Sequence, residues 1–170
     1  DGFLAYDVDG DGIVTKGETK MYTKKFNELR KEDVIQAGGK GASLGEMTNA
    51  GFPIPNGYVI LADSFEKFLD VNGIREQVDN IVNSVNIDDN NALNQASKKI
   101  GELIVNGTIP KEIESEISSS FNILDAKYVA VRSSATAEDG AEGAWAGQLE
   151  SFLNTNESNL LLNVKRCWAS

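Results

Sequence analysis

The chain has 170 residues, 41% of them hydrophobic and 25% charged, which is enough for a globular domain with a buried core. Its formal net charge of −10 argues against general nucleic-acid binding, and it contains no apolar run long enough to span a membrane. The chain has no histidine, which excludes Ser-His-Asp catalysis and a phosphohistidine within it, and its one cysteine excludes an internal disulfide and fits the cytoplasm.

The first motif lies at residues 7–18 and matches an EF-hand calcium loop at every diagnostic position. Oxygen donors recur at the ligand positions, Gly12 allows the sharp turn, and the last residue closes the loop as a bidentate carboxylate. The alternative is an acidic turn that binds no metal. We predict a Ca²⁺ site formed by Asp7, Asp9, Asp11, the Ile13 carbonyl, Thr15 and Glu18.

The residues around this loop resemble the two helices of an EF-hand. Residues 3–6 fit the end of an entering helix, and an exiting helix is predicted from the apolar residues Met21, Tyr22, Phe26 and Leu29. Because EF-hands generally pair, a second hand is a possible partner, and a structural clip or a dockerin-like remnant is the alternative.

A glycine-rich segment around Lys40 follows at residues 37–47. Three glycines beside a lysine let the backbone approach a ligand closely, and a short helix is predicted directly after them. The spacing is not that of a Walker A loop. A tight turn with a solvated lysine is the alternative interpretation.

The middle of the chain shows mainly helical patterns. Residues 58–61 predict a buried strand, and Asp63 with Glu66 marks a helix start. Apolar residues then repeat at helical spacing through Val85 and again through Ile104, separated by a polar loop at 86–91. Pro110 is expected to open a further helix.

Residues 127–131 predict a strand that ends at Arg132, followed by a loop rich in hydroxyl groups. A guanidinium at such a strand end can bind phosphate oxygens bidentately, and backbone amides and hydroxyls of the loop can supply further donors. Glu138 and Asp139 are expected to order the loop rather than to bind a metal. A strand at 149–153 and a helix capped by Ser158 complete the pattern.

Together these segments resemble the nucleotide-binding region of phosphoenolpyruvate synthase (pyruvate, water dikinase) and pyruvate phosphate dikinase. The Arg-Ser-Ser-Ala-Thr-Ala-Glu-Asp string is the most specific part of the resemblance. The matching segments occur in consistent order at 38–47, 53–58, 131–139, 146–148, 152–154 and 167–170. Residues 140–145 depart from the usual Leu-Pro-x-Ala-Ser-Phe, and their extra glycine should loosen that loop.

The resemblance implies an α+β (α/β) fold that forms the first lobe of an ATP-grasp-type domain. It implies that ATP phosphates are contacted by Lys40, Arg132, the Gly147 backbone and Ser151, where relatives often carry threonine. It places Mg²⁺ mainly on a second lobe, and it places the phosphorylated histidine on another domain. No catalytic residue is therefore expected within this chain.

We expect a fragment with an EF-hand-like segment at 1–20 and the ATP-binding lobe at 21–170, because the chain lacks an initiator methionine and ends within an apparent helix. The expected function is to position ATP for transfer to histidine in a phosphoenolpyruvate-synthase-like phosphotransferase. The alternatives are the equivalent lobe of a rifampicin phosphotransferase-like enzyme and a calcium-responsive module on an ATP-grasp scaffold. The two motifs conflict at 22–29, where we predict a short helix that gives way to a strand near Lys24.

Overall fold

The computed structural model describes residues 20–135 and 150–170, so the predicted calcium loop and Gly147 lie outside the described residues. In these two stretches helices and short strands are mixed, which confirms the α+β prediction. The elements in chain order are β1 (Thr23–Lys25), two 3-10 turns (Phe26–Glu28 and Lys31–Asp33), α1 (Val34–Asn49), β2 (Tyr58–Ile60), α2 (Ala62–Val71), α3 (Ile74–Ser84), α4 (Asn90–Asn106), α5 (Lys111–Ile123), β3 (Val129–Arg132), β4 (Ser151–Thr155) and α6 (Leu160–Ala169).

The strands form two antiparallel pairs. In the first pair Thr23 lies opposite Ile60, so β1 and β2 bring the start of the described chain beside the strand that follows α1. In the second pair β4 carries one extra residue between the positions opposite Val129 and Val131. This β-bulge coincides with a positive φ of 54° at Asn154, a residue type that tolerates the left-handed region.

The main hydrophobic core lies between the helices and the strands β2 and β3, which contribute Ile60, Val129 and Val131. Apolar side chains from α2, α5 and α6 fill it, because their helical spacing places them on one face. Trp168 closes one side, with its ring centroid 5.5 Å from that of Phe65 and 5.1 Å from that of Phe68. On the same side, Lys165 donates to the Gly107 carbonyl at the end of α4 (2.9 Å).

Most elements predicted from hydrophobic spacing are confirmed within a residue or two, including α2 to α5 and the strands β2, β3 and β4. The predicted cap at Ser158 is wrong, because α6 begins after Asn159. Ser158 lies instead in a turn where its backbone N–H (3.0 Å) and its hydroxyl (2.7 Å) both donate to Asn156 Oδ1.

The short exiting helix predicted before the strand near Lys24 is also wrong, because residues 20–22 are not helical. Residues 23–25 form β1, which confirms the strand expected near Lys24, and only the 3-10 turn Phe26–Glu28 follows it. Glu116 of α5 explains why no helix forms here, since its Oε1 accepts hydrogen bonds from the backbone N–H groups of Tyr22 (2.8 Å) and Thr23 (2.5 Å). These amides are held by a distant side chain rather than by a helix.

Candidate functional site

The glycine-rich segment forms a break inside α1. Gly38 has φ 72° and ψ 166°, and helical geometry resumes on its C-terminal side. This conformation is essentially restricted to glycine. Lys40 therefore lies in the first turn of a helix that runs to Asn49, in place of a loop followed by a helix.

The segment after β3 packs directly against this break. The backbone N–H of Gly39 donates to the Ala135 carbonyl (3.0 Å), and that of Gly41 donates to Ser134 Oγ (2.9 Å). The Ser134 hydroxyl in turn donates to the Ala37 carbonyl (2.7 Å). Two segments more than ninety residues apart are thus joined by three hydrogen bonds.

The absence of side chains at the glycines makes this contact possible. A Cβ atom built on Gly38 would overlap the carbonyl oxygen and the hydroxyl of Ser134. A Cβ atom on Gly41 would lie 2.9 Å from Val59 Cγ2 of β2, closer than side chains normally approach. The helix that carries Lys40 therefore contacts β2 of the first strand pair and the segment that follows β3.

Arg132 and Ser151 lie opposite each other in the β3–β4 pair. Val129 and Val131 point inward and pack against the main core. Because successive side chains of a strand point to opposite faces, the Arg132 side chain lies on the exposed face. Ser151 is exposed as well. Directly opposed residues in an antiparallel pair project to the same face, so the guanidinium and the hydroxyl share one exposed surface.

The structure therefore places three of the four predicted phosphate-binding residues in two segments that are joined by hydrogen bonds. Arg132 and Ser151 are paired across strands, and Lys40 lies between two glycines whose amides are bonded to residues just after Arg132. Gly147 lies outside the described residues. Their roles in nucleotide binding stay predictions.

Ser134 is a site residue that the sequence analysis did not single out. It was one of several hydroxyl groups in a predicted phosphate loop, and nothing in the sequence distinguishes it from Ser133. Only the folded chain shows that its hydroxyl bonds both sides of the glycine break.

Cys167 lies near the start of β4 but is unsuited to nucleophilic chemistry. Its Sγ is 3.9 Å from the Glu150 carbonyl, and burial, followed by the charge of Glu150, raises the pKa of the thiol to about 11. The group is therefore a neutral thiol near pH 7.

The described part of the chain contains neither a cluster of metal-binding side chains nor a helix that could span a membrane. Within residues 20–135 and 150–170 no three acidic or cysteine side chains converge as a metal site would require. Over the same residues, no helix combines the length and apolar character needed to cross a bilayer.

Comparison with known proteins gives a consistent result. Residues 34–170 match the family model for the pyruvate phosphate dikinase AMP/ATP-binding domain. A probable phosphoenolpyruvate synthase of Methanothermobacter thermautotrophicus is 42% identical over 88% of this chain and 23% of its own length. The probable phosphoenolpyruvate synthase of Methanocaldococcus jannaschii is 40% identical (92% and 14%), and the phosphoenolpyruvate synthase of Aquifex aeolicus is 42% identical (90% and 19%).

The chain thus spans less than a quarter of the length of these relatives, which contain further parts that it does not match. The family match extends from the start of α1 to the last residue and includes the glycine break and the β3–β4 pair. The chain belongs to the pyruvate phosphate dikinase AMP/ATP-binding domain family.

Proposed function

We propose that residues 21–170 form the first lobe of an ATP-grasp-type domain in a phosphoenolpyruvate-synthase-like phosphotransferase. In this proposal Lys40, Arg132, Gly147 and Ser151 bind the phosphates of ATP and position them for transfer to a histidine on another domain. The observation that carries the proposal is the set of hydrogen bonds joining the Lys40 segment to the residues that follow Arg132.

The two cations have different chemical tasks. Arg132 presents a planar guanidinium that can bind two phosphate oxygens at once, whereas Lys40 contributes a compact charge. The net charge of −10 opposes the approach of a polyanion, so local cations and backbone donors must supply the attraction. Since phosphoryl transfer depends on positioning and charge stabilisation, fixing both cations is the contribution expected of such a lobe.

The rest of the proposed machinery lies outside this chain. The chain has no histidine to receive the phosphoryl group, and its relatives are more than four times as long as the part matched here. A second lobe would supply the main Mg²⁺ ligands and complete the nucleotide site. Those other domains would determine which molecule finally accepts the phosphoryl group. The alternative is that the chain is the ATP-binding lobe of a rifampicin phosphotransferase-like enzyme.

Titration of the 170-residue chain with Mg·ATP, followed by amide NMR, tests the proposal. We expect shifts at residues 39–41 and 132–135, and an affinity at least about tenfold lower in Lys40→Met and Arg132→Met. Lys99→Met, an exposed lysine of α4, controls for the loss of one positive charge. Unchanged spectra at millimolar Mg·ATP, or equal affinity in all variants, would contradict the proposal.

A second proposed function concerns residues 1–20. The twelve residues from Asp7 to Glu18 supply an oxygen donor at each EF-hand ligand position and glycine at the turn. We propose that Asp7, Asp9, Asp11, Ile13, Thr15 and Glu18 bind Ca²⁺. Calcium would then act either as a local clip or as a regulator of the adjoining lobe.

A further inference from the structure

We propose that Ser134 is a positioning residue that holds Lys40 in a fixed place relative to Arg132. The inference rests on the proposed function in one respect, because that function identifies the phosphate groups of ATP as the ligand of both Lys40 and Arg132. The contact itself is a property of the folded chain, and it assigns to Ser134 a task other than phosphate binding.

The hydroxyl of Ser134 bridges the two sides of the glycine break. It donates to the carbonyl of Ala37, before the break, and accepts from the N–H of Gly41, after it. The distances of 2.7 and 2.9 Å are those of well-formed hydrogen bonds. One oxygen atom therefore ties both helical parts of α1 to the segment that follows β3.

These bonds restrain the backbone on both sides of Lys40. Gly39 and Gly41 flank the lysine, and their N–H groups are held by Ala135 and Ser134 respectively. Glycine loses more conformational freedom on folding than any other residue, so these positions would move readily without partners. Fixing both glycines places the lysine backbone against the segment that begins two residues after Arg132.

The Ser134 hydroxyl is already engaged in this contact. As an acceptor it holds the Gly41 amide, and its single proton is directed to the Ala37 carbonyl. A hydroxyl bound in this way has no second proton to donate to a phosphate oxygen. Its contribution to nucleotide binding is therefore made through the position of Lys40.

Amide hydrogen exchange and Mg·ATP titration of Ser134→Ala test the inference. We expect the Gly41 amide to exchange about tenfold faster and the affinity for Mg·ATP to fall about five- to tenfold. The ATP-induced shifts should weaken at residues 39–41 while those at Arg132 persist. A general loss of structure would reduce both sets of shifts together.

Two further variants keep the test decisive. Ser134→Thr retains a hydroxyl and should restore the slow Gly41 exchange and the affinity, whereas Ser119→Ala, an exposed serine of α5, should change neither. If Ser134→Ala does not fold, Ser134→Cys provides the same readouts with a much weaker hydrogen-bonding group.

The outcomes separate the two proposals. Unchanged Gly41 exchange in Ser134→Ala would overturn the inference whether or not the chain binds ATP. Normal ATP binding by Ser134→Ala would overturn it and leave the proposed function in place. If the unsubstituted chain binds no ATP, the proposed function fails, and exchange at Gly41 alone decides whether Ser134 holds the Lys40 segment.

Discussion

Arg132 lies directly opposite Ser151 in the β3–β4 pair, although the two residues lie far apart in the sequence. The pairing places a guanidinium and a hydroxyl on the same exposed face of a two-stranded sheet. A phosphate held by Arg132 would therefore have a second donor on the neighbouring strand.

Ser151 should contribute to nucleotide affinity through its hydroxyl. Ser151→Ala is expected to weaken binding of Mg·ATP about five- to tenfold, or about 1 kcal/mol, because one hydrogen bond to a charged oxygen is lost. Ser151→Thr keeps the hydroxyl and should bind like the unsubstituted chain. Isothermal titration of the three proteins measures the difference, and equal affinity for Ser151→Ala would remove Ser151 from the proposed site.

Gly38→Ala should lower the free energy of unfolding by about 2–4 kcal/mol, because a side chain is strained at this φ and its Cβ would overlap Ser134. Gly51→Ala separates the two causes. Gly51 has φ 80°, but apart from Gly51 and its two chain neighbours no described residue lies within 4 Å of a Cβ placed there. Urea denaturation should show a cost of about 1 kcal/mol for Gly51→Ala. Similar losses in both variants would argue against close packing by Ser134.

Thr155 should stabilise the end of the bulged strand β4. Its buried hydroxyl donates to the Phe152 carbonyl (3.1 Å) and accepts from Asn163 Nδ2 of α6 (2.8 Å). Thr155→Val leaves the buried Asn163 amide short of an acceptor and should lower the free energy of unfolding by about 1–3 kcal/mol.

Thr155→Ser is the matched variant, because it keeps the hydroxyl and removes only a methyl group. It should therefore lose less stability than Thr155→Val in chemical denaturation. The reverse order would mean that packing of the methyl group, and not the hydrogen bond to Asn163, holds α6 against the strand.

Stability above pH 10 should depend on Tyr58. Its hydroxyl donates to the Ile117 carbonyl (3.3 Å), and burial raises the pKa of Tyr58 from 10.0 to about 12. The folded chain thus keeps a proton that the unfolded chain loses between these values. This contribution is complete below pH 10 and is lost as the pH rises towards 12.

The difference in unfolding free energy between the unsubstituted chain and Tyr58→Phe should therefore shrink by about 1–2 kcal/mol across that pH range. Denaturation of both proteins at successive pH values measures it. Tyr128→Phe, at a half-exposed tyrosine, is the matched variant for the removal of one phenolic hydroxyl group. A constant difference for Tyr58→Phe would contradict the expected titration.

Calcium binding should depend on the first and last ligands of the predicted loop. Asp7→Asn and Glu18→Gln should each weaken Ca²⁺ binding at least about tenfold, because each removes a charged oxygen ligand. Asp88→Asn, an exposed carboxylate elsewhere in the chain, is the control.

Amide NMR during the calcium titration distinguishes a local clip from a regulator. Shifts confined to residues 7–18 would indicate a clip, whereas shifts that reach Lys40 or Arg132 would show that the two sites are coupled. No response to millimolar Ca²⁺ would disprove the calcium site.

The sequence alone determined the type and order of most elements. Apolar residues at helical spacing predicted α2 to α5, and the strand-forming residues before Arg132 predicted β3, because a buried face repeats with the period of its element. The same pattern failed at residues 21–29. There the amides of Tyr22 and Thr23 are held by Glu116, which lies more than ninety residues away and which no local pattern reveals.

Tertiary structure alone decided which residues meet at the candidate site. The sequence places Arg132 at a strand end and glycines beside Lys40, but the pairing of Arg132 with Ser151 depends on strand register. Whether Ser134 or Ser133 forms the hydrogen bond to the Gly41 amide depends on how α1 packs against the segment after β3. Local propensity specifies the elements, whereas contacts between distant segments follow from packing, which brings particular donors and acceptors within hydrogen-bonding distance.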